Sequence, residues 1–380
     1  MLNSRTMLSF FLLGALSLFA RQNKDSLDKR LSDLEHQMSE IAKKNANGTL
    51  GAHFASFKPT ENNWSGNLEI LAWKAQVGGL DWVIIFNQAS YPLSGQMKSL
   101  NFKWNWGARV GLTRYFGNDD WDLSVYYTNF TASHGAKVLS NFNSLDNLTG
   151  SVATGSTTGN FKGKINLNQI DLTLGKKYFI SSKFSYHPAA SLTALFLKQR
   201  YDLITSNTIN ALSTSIPIAG SLNTDLIDEC KTFVIGPKIG LDIFYYLCRG
   251  FTLNAGISGA LLEGYFKVYH NEKLNSAPTN DTPLVVSENI NAPLHRFSPY
   301  ARLFIGLGYH KEFMEGKRTL DLALKWEMNE YFRMNQTLQT ISSFPSAPSF
   351  APGDQVRTSY SRYSEDLGFN GVTIEVKIGF

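Results

Sequence analysis

The sequence predicts an all-β chain: a transmembrane antiparallel β-barrel of about 12 strands, within a range of 12 to 16, preceded by a short N-terminal periplasmic coiled-coil helix. Three observations predict it. The last stretch alternates strictly, with Val372, Ile374, Val376, Ile378 and Phe380 on one face and Thr373, Glu375, Lys377 and Gly379 on the other. Such period-2 patterning is a strand whose apolar face suits lipid and whose opposite face needs water. The first residues read as a secretory leader. Between the two ends, alternating segments are joined by connections that are short and long in turn.

Residues 1–20 carry the leader signature: Arg5, then the apolar run 7–19 (MLSFFLLGALSLF), then Ala20 before the polar run Arg21-Gln22-Asn23-Lys24-Asp25. The apolar run falls short of the ~20 residues of a spanning helix, and no later segment approaches one. A chain that enters a membrane without such helices must do so as a closed barrel, which leaves no backbone group unpaired in hydrocarbon.

Residues 21–47 are expected to hold a periplasmic helix and linker. Leu27, Leu31, Leu34, Met38 and Ile41 recur at spacings of 4, 3, 4 and 3 and form a heptad seam, with Asp25–Lys29 and Glu40–Lys44 as favourable i,i+4 pairs. The seam predicts oligomerisation, with a trimer as the guess by analogy with porins. The alternative is one amphipathic helix packed on its own barrel.

The barrel is expected over 48–380. Residues 102–112 set Phe102, Trp104, Trp106, Ala108, Val110 and Leu112 against Lys103, Asn105, Gly107, Arg109 and Gly111. Segments 121–128, 233–245 and 320–328 repeat the pattern, and in none does a charge fall on the apolar face. Weaker versions run over 66–75, 80–87, 164–176, 188–201, 251–268 and 299–309, some with a one-residue slip that a bulge explains. Connections near 116–120, 177–183, 247–250 and 311–318 are short; those near 88–100, 131–160, 203–231, 269–295 and 332–364 are long. Outer-membrane barrels segregate loop length by end in this way, and a soluble sandwich has no reason to.

Parity sharpens the count. Eleven strands would start the first one outside the cell, although the chain arrives from the periplasm. A twelfth is therefore expected at 48–57, where Leu50, Ala52 and Phe54 alternate with Gly51, His53 and Ala55, or else inside 88–100.

Composition excludes little. Without Arg5 the charge is 35 Lys and Arg against 31 Asp and Glu, too mild to imply nucleic acid. Cys230 and Cys248 flank one strand, and a rise of ~3.3 Å per residue separates them well beyond the ~7 Å reach of a disulfide. Their spacing suggests no metal, and no cofactor is expected. The histidines (His36, His53, His134, His187, His270, His295 and His310) are scattered, and no HExxH, Walker, GxGxxG or GxSxG motif occurs, so no catalytic residue is predicted.

Residues 69–85, 104–135, 237–268 and 299–328 resemble the major outer membrane proteins of legionellae and chlamydia-like bacteria. The Trp73-Lys74-Ala75 element, and the Gly-x-x-x-Gly-Leu strand leading into Trp121-Asp122-Leu123, carry the resemblance most specifically. It implies a pore-forming barrel of the bacterial outer membrane, abundant in the envelope and in some members disulfide-linked to envelope neighbours. It also implies that Phe380 is the signal read by the barrel assembly machinery.

Passive diffusion of ions and small hydrophilic solutes follows as the expected function. The face turned from lipid carries Lys103, Arg109, Lys238, Arg302, Lys325 and Lys377 against Asp122, Asp242, Asp321, Glu327 and Glu375, and these are the expected pore-lining residues. The alternatives are a hydrophobic-substrate channel, an adhesin barrel and, further off, a barrel enzyme assembled from distant strands.

Overall fold

A computed structural model describes residues 64–86, 95–116, 121–139, 145–147, 158–181, 183–210, 219–248, 250–278, 284–313, 318–343 and 357–380, together with Glu35 and Met38. Period-2 patterning becomes fifteen strands. The first eight are β1 (Trp64–Val77), β2 (Asp81–Phe86), β3 (Gly95–Ser99), β4 (Trp104–Phe116), β5 (Trp121–Leu139), β6 (Leu145–Asn147), β7 (Thr158–Lys176) and β8 (Tyr178–Ser181). The rest are β9 (Phe184–Asn210), β10 (Ala219–Tyr246), β11 (Phe251–Pro278), β12 (Leu284–Asn291), β13 (Leu294–Phe313), β14 (Arg318–Ser343) and β15 (Arg357–Gly379).

Ten of these close into an antiparallel ring in the order β1, β4, β5, β7, β9, β10, β11, β13, β14, β15, and β15 pairs back onto β1 with Ile374 opposite Ile70. Two short strands lie outside the ring: β8 pairs with β9, and β12 with β11. The ring therefore has fewer members than the twelve expected. The reason lies in residues 80–87. They form β2, which pairs with β3 and β6 in a separate three-stranded sheet instead of joining the wall. With β2 removed the parity is already even and no missing strand is needed. A strand does exist within 88–100, as β3, but it serves that second sheet; residues 48–57 lie outside the described residues.

The long connections are also shorter than the alternation suggests. Strands β10 and β11 run for 28 residues each, whereas ~9–11 tilted residues cross a bilayer. The surplus rises at the end opposite the short turns, so much of what reads as loop is hairpin wall.

Among the described residues, no helix is long and apolar enough to cross a membrane. Leu27, Leu31, Leu34 and Ile41 of the expected seam lie outside the described residues, while Glu35 and Met38 are helical and exposed. Phe380 lies at the short-turn end, where its backbone exchanges hydrogen bonds with Trp64 at 3.3 and 2.9 Å and its ring stays exposed.

Candidate functional site in the barrel interior

Alternation sorts side chains to the two sides of the wall. Leu68, Ile70, Val110, Leu112, Val125, Ile170, Leu172, Leu303, Leu307, Leu324 and Ile374 all stand exposed on the outer face, a continuous apolar belt. The opposite face fills the ring, and it does so in two layers. Along β1, Asn67 and Glu69 precede Leu71, Trp73 and Ala75; along β14, Lys325, Glu327 and Asn329 precede Tyr331, Met334 and Leu338. The same order, polar near the short turns and apolar beyond, holds on β5 (Asp122, Ser124, Thr128, then Phe130, Ala132).

The polar layer is an ion-pair cluster. Arg109 on β4 donates from Nη1 to Glu69 Oε2 at 2.5 Å and from Nη2 to Glu327 Oε1 at 2.9 Å, and Arg302 Nε on β13 reaches the same Glu327 oxygen at 2.6 Å. Lys325 pairs with Glu375 and lies 3.8 Å from Glu69. Thr373 donates to Glu327, Asn67 to Glu375, and Arg109 Nε to Thr128. Lys238 on β10 holds Asp171 on β7 at 2.7 Å, and Thr193 and Gln169 donate to the same carboxylate. Each buried charge thus meets an opposite one with additional hydrogen bonds, the condition under which charge is tolerated in a dry interior. At the short-turn side His187 meets Asp122 at 2.6 Å, a reach that depends on Gly175, where an added Cβ would stand 2.4 Å from the imidazole.

Opposite walls touch. Tyr331 on β14 donates to Gln169 on β7 at 2.5 Å, and Gln199 on β9 donates to Asn335 on β14 at 3.3 Å. A ten-strand ring is only slightly wider than the eight-strand barrels whose interiors side chains just fill.

The apolar layer is capped by the β2–β3 hairpin. Leu80, Trp82, Leu100 and Phe102 are buried, with Trp82 stacked on Phe161 at 5.5 Å and Phe161 on Tyr201 at 6.2 Å. Gly163 on β7 makes room: a Cβ there would stand 2.6 Å from Leu100 and 2.9 Å from Phe102. The first connection at the loop end therefore folds against the inside of the wall.

Of the eleven residues expected to line a pore, Arg109, Arg302, Lys325, Glu327 and Glu375 come together in the cluster, and Lys238 joins Asp171 beside it. Asp122 faces His187; Asp321 sits at the short-turn mouth, 2.5 Å from His310 Nδ1; Lys377 lies over the Tyr115 ring. Asp242 is on the same face and half-buried. Lys103 precedes β4 and is exposed, so it is not on the wall as the 102–112 alternation suggests. Sequence reasoning missed Glu69, Asp171 and the apolar layer. The signal was there in 71–77, where the inner face carries Leu71, Trp73, Ala75 and Val77 while Lys74 and Gln76 face outward, and in 194–197, where both faces turn apolar.

Cys230 is buried and Cys248 exposed, and both are free thiols.

A family model described as the Legionella pneumophila major outer membrane protein precursor matches residues 58–380. No curated protein matches. Among solved structures, the outer membrane protease OmpT of Escherichia coli is similar at 11% identity and a TM-score of 0.40, covering 84% of this chain and 98% of that one. A Pseudomonas aeruginosa FadL homologue is similar at 8% identity and 0.26, over 86% and 92%. The Pseudomonas putida toluene transporter TodX follows at 10% and 0.23, over 84% and 91%. At these scores neither proteolysis nor transport is carried over from them.

Proposed function

We propose that this chain, which belongs to the Legionella major outer membrane protein family, is a bacterial outer-membrane barrel that passes ions and small hydrophilic solutes along a narrow, gated interior path while serving as a structural component of the envelope. The observation that carries this reading is the sorting of charge: Glu69, Arg109, Arg302, Lys325, Glu327 and Glu375 converge inside the ring, whereas the belt of Leu68, Ile70, Val110, Leu303 and Leu324 carries none. Contact between opposite walls and the hairpin cap supports a narrow and intermittently open path over a wide constant one. The near balance of acidic and basic side chains inside supports weak ion selectivity.

Planar-bilayer recording of the purified protein tests it. Brief openings of small conductance, with modest reversal potentials in a salt gradient, are expected. Protein that stays silent even after the β2–β3 hairpin is deleted overturns the reading in favour of a purely structural barrel.

A channel for hydrophobic molecules is a second reading, favoured by the apolar upper layer of Trp73, Phe130, Phe161 and Phe369. Proteoliposomes that admit an aromatic hydrocarbon but no small sugar would put it first. The same proposal includes removal of residues 1–20 as a leader, recognition of Phe380 during assembly, and oligomerisation through the 27–41 seam.

A further inference from the structure

On the outer face of β7, β9, β10 and β11, the apolar belt gives way abruptly to positive charge. Register places Phe196, Phe233, Tyr265 and His295 side by side on four neighbouring strands, with Phe196 and Phe233 at 4.6 Å and Tyr265 and His295 at 4.7 Å between ring centroids. Aromatic rings in such a row mark the level where hydrocarbon meets headgroups. Two residues further toward the loop end, the next outward row is Lys198, Lys231 and Lys267, again directly opposite one another. Beyond it stand Arg200 and Lys164, paired in register on β9 and β7.

Like charges opposite one another on neighbouring strands repel, because the strands are only ~4.8 Å apart. Three carboxylates on this face, Asp202, Asp225 and Glu229, stand among the cations Lys162, Lys164, Lys198, Arg200, Lys231, Lys267 and Lys273, with Lys162 opposite Asp202 and Lys273 opposite Asp225. Glu229 takes Lys231 at 2.5 Å, Lys198 at 3.6 Å and Arg200 at 3.8 Å, and Asp202 takes Arg200 at 3.0 Å. Lys164 and Lys267 have no carboxylate partner among the described residues, and Lys267 rests over the Tyr265 ring at 5.6 Å. Lys198, Lys231 and Lys267 are all exposed. At the short-turn end the cations Arg114, Lys176, Lys177 and Lys311 each lie over aromatic rings, and no three of them stand directly opposite one another in register. The excess cation lies just beyond the aromatic row on one flank of the barrel, where an anionic headgroup would complement it.

We propose that the outer face formed by Lys164, Lys198, Arg200, Lys231 and Lys267 is a binding site for the phosphorylated glycolipid, lipid A, of the outer leaflet. The long strands place this flank at the cell-surface end. Its phosphates would lie against the lysine row, and its acyl chains against Phe196, Phe233 and the apolar belt below. Lysine and arginine meet phosphate by charge-assisted hydrogen bonds, which are stronger than neutral ones.

The full-length protein in neutral detergent tests this by native mass spectrometry and by thermal unfolding with added lipid A, dephosphorylated lipid A or phosphatidylglycerol. Lipid A is expected to bind and to raise the unfolding temperature, while the other two leave it near the lipid-free value. The variant Lys198→Gln/Lys231→Gln/Lys267→Gln is expected to bind lipid A at least about tenfold more weakly. Arg114→Gln at the opposite end should bind it normally. Equal binding by wild type and triple variant, or equal binding of dephosphorylated lipid A, overturns the proposal. If the triple variant does not fold, the wild-type preference for the phosphorylated lipid, and its weakening by salt, decide the question alone.

Discussion

Glu327 accepts from Arg109, Arg302, Thr373 and Asn329 and has no solvent exposure, so it is the side chain on which the interior cluster converges. Replacing it with Gln leaves two guanidinium groups without their shared counter-charge, a loss expected to cost about 3–5 kcal/mol. A lower urea midpoint for the folded band on gels, with membrane insertion retained, is the expected result. Leu324, three positions before Glu327 on the same strand, faces the other way, between Leu307 and Ile374 on its neighbours. Leu324→Arg puts a charge into lipid at about 2–4 kcal/mol if the site is near the midplane. That defect should disappear in Leu324→Met, and the contrast reads the face assignment directly. His270 lies in the loop-side extension of β11, beyond the belt, with Nδ1 2.5 Å from Asp228 and Nε2 3.9 Å from Glu272. Burial works against its charged form, but the hydrogen bond it donates to Asp228 and the negative charges of Asp228 and Glu272 outweigh this and push its pKa up to about 9. A raised folded-state pKa contributes stability in full below the ordinary histidine value and loses it as pH rises toward about 9. Protease nicking of the loop-side extensions of β10 and β11 should therefore quicken between pH 7 and 9.5, and His270→Gln should flatten that profile.

Elements were legible to different degrees. The strands of the ring follow from alternation because one side of each meets lipid and the other meets packed polar or apolar groups, a contrast strong enough to read locally. β2 carries a similar pattern, Asp81-Trp82-Val83-Ile84, yet its partner is β3 and not a wall strand. Local periodicity specifies that a segment is a strand but says nothing about which edge it joins. The apolar upper layer was signalled locally by Leu71, Trp73 and Ala75 on one face, but a lumen face is expected to be wet, and the convergence of Trp73, Phe130, Phe161 and Phe369 in space makes this part of it apolar. The hairpin prediction belongs here. Trp82→Ala removes the ring stacked on Phe161, at about 3–5 kcal/mol of local packing. More frequent or longer single-channel openings, with an unchanged fold of the ring, are expected. Unaltered gating would show that the cap does not govern the path.

For the molecule as a whole, barrel class and compartment were legible from the alternating last strand and the segregation of connections, while strand number was not, since it depends on pairing partners. Oligomeric state belongs to this scale too. Changing Leu31 and Leu34 to Asp would bury two charges in any helical seam, so cross-linked oligomers should become fewer while conductance per pore stays the same. A monomeric mass for the unmodified protein in detergent would end that expectation.

The seam between β1 and β15 has a temporal consequence. Trp73 Nε1 donates to Thr373 Oγ1 across 300 residues of sequence, so the contact that closes the ring joins nearly the first and the last parts of the barrel to be made. Loop-closure entropy makes pairings of such high contact order slow to form. Until they form, β1 and β15 are two unpaired edges of an open sheet, each a template for another chain. The chain must therefore be held apart from its neighbours until its final strand is delivered, and closure and escape from aggregation are then one event.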